Sequence, residues 1–123
     1  ILAGETVIKA RDEYGLPIRL TSVLPFENQA QLWKEYWRDR YFSMLEFSDQ
    51  VVTLQTRYTC GCYQRRNRYM IERSDLLICY HTGCTGGTSH TVHAAIQNGL
   101  YVVNLCKDLF IEEPSLLYTL SFS

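Results

Sequence analysis

No run of apolar residues approaches the roughly 20 that a membrane-spanning helix requires, and no signal-peptide pattern precedes the first helical segment. A soluble, cytoplasmic protein is therefore expected, with no membrane partner. Charge of one sign is also missing. Twelve Lys and Arg against thirteen Asp and Glu leave a net charge of -1, so no global field recruits nucleic acid or an anionic membrane. Metal-type cysteine pairs are absent as well. The five cysteines, Cys60-x-Cys62, Cys79, Cys84 and Cys106, have neither zinc-knuckle spacing nor a small secreted scaffold around them, and free thiols in a reducing compartment are expected. Acids are scarce in one place. Arg57, Arg65, Arg66, Arg68 and Arg73 fall within seventeen residues that hold a single carboxylate, Glu72.

What is present is enough for one packed domain: 123 residues, 46% of them apolar. Ala3, Val7, Ala10 and Tyr14 recur at helical spacing until Gly15 and Pro17, which predicts a helix over about 2–14. Residues 19–24 are rich in β-formers, and Pro25 closes them. Asn28 with Gln31 has the form of a capping box, followed by a stripe of Trp33, Trp37, Tyr41, Met44 and Leu45 that predicts a helix packed by its aromatic face. Residues 50–55 read as a strand. A polar loop then leads into a helix with Tyr63, Met70 and Ile71 as its apolar positions. Leu76 to Tyr80 is a continuous apolar run, the pattern of a strand buried on both faces. Val92, Ala95, Ile96 and Gly99 mark a further helix, and residues 101–106 a further strand. Strict alternation with short links predicts an α/β fold around a mainly parallel, right-handed, layered sheet. Residues 1–106 form the predicted domain and 107–123 a C-terminal tail.

Ligands of such sheets bind beyond the carboxyl ends of the strands. Two loops there carry suitable chemistry. Gly83-Cys84-Thr85-Gly86-Gly87-Thr88 leaves an apolar strand and opens a helix. Its glycines permit close backbone approach, Thr85, Thr88 and Ser89 offer hydroxyls, and the helix N-terminus favours an anion. It is neither a GxGxxG motif nor a Walker loop, which would need a lysine after the last glycine. Phosphate binding is the reading preferred over a plain tight turn. The second loop, residues 56–63, runs into Arg65, Arg66, Asn67 and Arg68; its arginines can fork onto phosphate, and Tyr58 and Tyr63 can flank a base or ribose. A solvated basic helix face is the alternative for any one of these arginines. Arg66 and Asn67 are favoured, one turn before Met70. His90, His93 and His81 lack the carboxylate or cysteine pair that would complete a metal set, and no metal is expected. Trp33 and Trp37 are expected in the core. No carboxylate stands where acid–base chemistry would use it, so no catalytic residue is assigned.

Taken together, Leu24-Pro25-Phe26 with Gln29 and Trp33, Arg40-Tyr41, Tyr58-Thr59, Gly61-Cys62-Tyr63, residues 65–70, Ser74-Asp75 and Gly86-Gly87-Thr88 resemble the YpsA-like branch of the SLOG superfamily. That Rossmann-like group includes the DprA/Smf proteins and the LOG phosphoribohydrolases. The resemblance spans residues 2–106 and implies a three-layer Rossmann-like fold. It also implies a nucleotide or ADP-ribose-like ligand at the sheet's carboxyl edge, and self-association into a homo-oligomer. It further implies that the family domain's first βα unit and second strand precede Ile1. Arg66 and Met70 match the LOG arginine–methionine pair, but the LOG glutamate position is Thr91. That change argues for a nucleotide bound rather than cut. A LOG-like phosphoribohydrolase, or a structural, partner-binding member without ligand, are the alternatives.

Overall fold

The computed structural model describes residues 1–83 and 86–106. The predicted tail, 107–123, and loop residues Cys84 and Thr85 lie outside the described residues. The elements run α1 (Leu2–Asp12), β1 (Thr21–Leu24), α2 (Glu35–Phe47), β2 (Gln50–Thr53), α3 (Cys62–Glu72), β3 (Leu76–Cys79), α4 (Gly87–Gln97) and β4 (Tyr101–Asn104). The alternation read from periodicity is thus the order observed. The described strands form two parallel pairs, β1 with β2 and β3 with β4. This is a mixed α/β, Rossmann-like fold. Two compact units are distinguished, Ile1–Cys62 and a second that begins at Tyr63. Among the described residues no helix is long and apolar enough to cross a membrane.

In the first unit Thr21 to Leu24 register against Gln50 to Thr53. Leu24, Ala30 and Tyr41 are buried together, with Ile1, Met44 and Leu45 packed against them. Asp49 locks the start of the strand pair: its carboxylate accepts from the Leu20 N–H at 2.7 Å and from Arg11 at 2.9 Å. The Leu20 N–H first, and the Arg11 guanidinium after it, hold this carboxyl below its usual range. Arg40 on α2 pairs with Glu5 on α1, tying the two helices together. Burial raises the Tyr41 hydroxyl above its ordinary value, and Gln29 donates to its oxygen at 3.1 Å.

Three expectations are corrected here. The second helix does not start at Asn28. Residues 27–33 form successive turns closed by Gln31 N–H to Asn28 C=O and Trp33 N–H to Ala30 C=O, and extended Lys34 separates them from Glu35, where the helix begins. Of the aromatic residues in the stripe only Tyr41 is buried, with Met44 and Leu45 packed on its cluster. Trp33 and Trp37 keep 36% and 41% of their surface exposed, Trp33 standing edge-on to Tyr41. Lastly, Tyr63 and Met70 are exposed, and Cys62 and Ile71 are the buried residues of α3.

In the second unit Leu76 to Cys79 register against Tyr101 to Asn104. Ile71, Ala95 and Val102 form the core, with Leu77, Cys79, Val92, Ala94 and Leu100 around it. β3 is not buried on both faces as its apolar run predicts. A strand's side chains alternate, and α4 packs on this strand pair. Leu77 and Cys79 therefore join the core, while Leu76 and Ile78 remain 43% and 62% exposed. Burial raises the Cys79 thiol above its usual value, so it is an inert core group.

Candidate functional site

The carboxyl ends of β3 and β4 are joined by one buried side chain. Asn104, 3% exposed, accepts the His81 N–H at 3.0 Å and the Cys106 N–H at 2.9 Å through Oδ1 and donates through Nδ2 to the His81 carbonyl at 2.9 Å. An N–H cannot accept, so these partners fix the orientation of the amide. The start of the glycine segment is thereby pinned to the end of the neighbouring strand. The only hint in the sequence is a polar residue in the apolar run Tyr101-Val-Val-Asn-Leu-Cys106.

Beyond His81 the chain bends through Gly83 and Gly86 into α4. Both glycines have positive φ, 92° and 146°, where a side chain is strained. Gly86 is the N-cap and has no side-chain oxygen to offer the first-turn N–H groups. Gly87 differs from its neighbours. Its φ is not positive, and a Cβ built on it meets nothing within 4 Å among the described residues. Thr88 and Ser89 follow in the first turn, Thr88 exposed and Ser89 half-buried.

A groove of about 330 Å³ runs between α3 and α4, lined by Gln64, Asn67, Arg68 and Ile71 on one side and Gly87, His90, Thr91 and Ala94 on the other. Each set follows the i, i+3, i+4, i+7 spacing of a helix face, so two facing stripes make the groove. One hydrogen-bond chain crosses it. Arg66 Nε donates to Asn67 Oδ1 at 2.7 Å, Asn67 Nδ2 to Thr91 Oγ1 at 3.0 Å, and Thr91 Oγ1 to the Gly87 carbonyl at 3.0 Å. The directions are forced: a guanidinium cannot accept, so Asn67 presents its oxygen to Arg66 and its NH₂ to Thr91. Thr91 must then pass its single proton to Gly87. Its hydroxyl is fully engaged and holds no proton for acid–base work.

The structure thus brings Asn67, Gly87 and Thr91 together, with Arg66 behind Asn67. The Tyr63 ring lies under the Arg66 guanidinium, 5.9 Å from its centroid, and Arg65 is on the exposed side of α3. Tyr58 belongs to the first unit, where it meets Phe26 edge-on at 5.7 Å. Thr85 lies outside the described residues. Gln64, Arg68 and His90 line the groove without having been assigned to it from the sequence; helical spacing from Asn67 and Thr91 was the available signal. The histidines are dispersed in role: His81 engages Asn104 through its backbone, His90 lines the groove, and the His93 ring contacts Gln97 at 3.2 Å.

Parallel strand pairs, alternating helices and a glycine turn that opens a helix define a Rossmann-like α/β protein. A family model described as the YspA SLOG family (YpsA) matches residues 1–102. The chain is 33% identical over 96 residues to a UPF0398 protein of Halalkalibacterium halodurans, covering 76% of this chain and 50% of the relative. A UPF0398 protein of Brevibacillus brevis is 32% identical over 82 residues (63% and 43%), and one of Bacillus thuringiensis 31% over 100 residues (79% and 54%). The chain belongs to the YpsA-like SLOG family, and it spans about half the length of these curated relatives.

Proposed function

We propose that the chain binds a nucleotide or nucleotide-derived ligand, with its phosphate against the glycine turn and the first residues of α4, and that it does not cleave it. Gly87 carries this reading. The backbone requires glycine at 83 and 86 because φ is positive there, but neither φ nor, among the described residues, a packed neighbour requires it at 87. A glycine whose backbone N–H opens a helix and whose Cα carries no side chain suits a surface that a ligand approaches closely. The groove beside it has the volume of a small-molecule site, at the lower end of roughly 300–1,000 Å³. Against cleavage stands Thr91, a neutral hydroxyl whose proton is held by Gly87. The same reading takes residues 1–106 as a nucleotide-binding domain in a cytoplasmic protein that self-associates.

The test is a panel of nucleotides and ADP-ribose derivatives measured by thermal shift and calorimetry, with chromatography for released base. A ligand that binds only the native state raises the melting temperature. Gly87→Val should leave the unliganded melting temperature nearly unchanged and abolish the ligand-induced rise. Retained binding in that variant counts against the phosphate site, and release of free base establishes the phosphoribohydrolase reading instead.

A further inference from the structure

Of the four arginines carried by α3 and the turn after it, the sequence singles out Arg66. The structure gives Arg66 a different task. Its Nε orients the Asn67 amide, and its guanidinium lies against the Tyr63 ring. Arg73 stacks on Tyr69 at 3.6 Å, donates to the Tyr69 carbonyl at 3.1 Å and stands 3.7 Å from Glu72. Arg65 and Arg68 are both exposed, but Arg65 is not among the groove residues. Arg68 is the arginine that lines the groove. Glu72, one turn further on, would be its natural i, i+4 partner, but Glu72 pairs with Arg73 instead. Among the described residues Arg68 has no ion pair and no side-chain hydrogen bond.

The rest of the lining fits that unengaged guanidinium. Among the described residues no carboxylate lines the groove. Asn67 and Thr91 are engaged in the chain from Arg66 to the Gly87 carbonyl, whereas the side chains of Gln64 and His90 make no hydrogen bond among the described residues and line the same groove as Arg68 from α3 and α4. Ile71 and Ala94 supply apolar surface. A concave site whose described lining combines one planar five-donor fork, an imidazole and a primary amide has the chemistry to hold a phosphate group. Gly87, with no Cβ, gives that group room on the α4 wall, which also carries His90.

We infer that Arg68, with His90 and Gln64 in the same groove, is the residue that reads the ligand's phosphate, and that Arg66 is a positioning residue acting through Asn67. The inference rests on the nucleotide reading above but makes a narrower demand, that the anionic part of the ligand enters the α3–α4 groove.

Three variants, Arg68→Gln, Arg68→Lys and Arg66→Gln, are titrated with the tightest-binding nucleotide of the panel, with its unphosphorylated nucleoside, and with inorganic phosphate and pyrophosphate. A hydrogen bond to a charged group contributes about 1.5–3 kcal/mol, so Arg68→Gln should weaken the phosphorylated ligand roughly 10–100-fold and leave the nucleoside unchanged. Arg68→Lys should recover part of the loss, as a point charge without the fork. Arg66→Gln should weaken nucleoside and nucleotide by the same factor, because it disturbs the groove wall rather than the anion contact. Nucleotide binding that survives Arg68→Gln overturns the assignment and leaves the nucleotide reading standing. Binding of phosphate or pyrophosphate alone, lost in Arg68→Gln, supports the anion site and removes the nucleotide reading. No binding of any of these probes to the wild-type chain overturns both.

Discussion

Replacing Asn104 by Ala removes three hydrogen bonds from the ends of β3 and β4 and leaves the N–H of Cys106 and both backbone groups of His81 without their partner. Cys106 is buried, so its N–H meets the full desolvation penalty of an unmade bond, about 1–3 kcal/mol. His81 is half-buried and water can replace part of its loss. The second unit should therefore lose about 2–4 kcal/mol. Asn104→Asp is the sharper probe. Its carboxylate can still accept from both N–H groups, but it faces the His81 carbonyl with no proton to donate and sits in a site that is 97% enclosed. Burial and the opposing carbonyl raise the folded pKa of such an acid above its unfolded value of about 3.9. The protonated form restores the donor to His81. The sign follows: the variant is close to wild type below pH ~4 and loses stability relative to it as pH rises to the folded pKa, by at most about 1.4 kcal/mol per unit. Urea denaturation at several pH values measures the difference. Amide exchange of β3 and β4 reads the second unit separately from the first. An Ala variant within about 0.5 kcal/mol of wild type, or an Asp variant whose deficit is flat between pH 4.5 and 8, would refute the clasp.

Further expectations concern the two cores. Ile71→Ala removes the side chain α3 buries against Ala95 and Val102, and should cost roughly 2–5 kcal/mol of second-unit stability by exchange or urea midpoint. Ile71 also lines the groove, so ligand affinity should fall with it. Asp49 contributes to the first unit with the opposite sign of pH dependence from the Asn104→Asp variant. Its folded pKa is depressed, so its contribution is complete above its ordinary range near 4 and fades as pH falls through the lower folded value. Asp49→Asn should therefore narrow the acid sensitivity of the first unit, and an unchanged profile of stability against pH would count against the Leu20 and Arg11 contacts as its cause.

The element order was legible because periodicity is local. Apolar residues three and four apart, or continuous short runs, mark helix and strand whatever they pack against. Glycines at strand ends were readable for the same reason, as Gly83, Gly86 and Gly99 all adopt positive φ. Boundaries were less so. Asn28 and Gln31 have the composition of a cap, yet the chain turns there, because a capping pair states a preference of a fraction of a turn and Lys34 is held extended. The aromatic stripe was legible in part: Tyr41, Met44 and Leu45 pack into one cluster at the spacing read, whereas Trp33 falls before the helix begins and Trp37 stays exposed.

The site divides along a similar line. That Gly86-Gly87-Thr88 opens a helix, and that arginines crowd the preceding one, could be read from sequence alone, because both are facts about neighbours along the chain. Which arginine is engaged could not. Arg65, Arg66, Arg68 and Arg73 are equivalent as letters; they differ because Asn67, Tyr69 and Glu72 engage Arg66 and Arg73, and because α3 presents Arg68 and Asn67 to the face of α4 that carries Gly87 and Thr91. Asn104 was hidden likewise, as its two bonds to His81 form only when two parallel strands align. Helix and strand follow from interactions within a few residues, whereas the pairing of polar side chains depends on which elements dock, and the tertiary structure alone decides that.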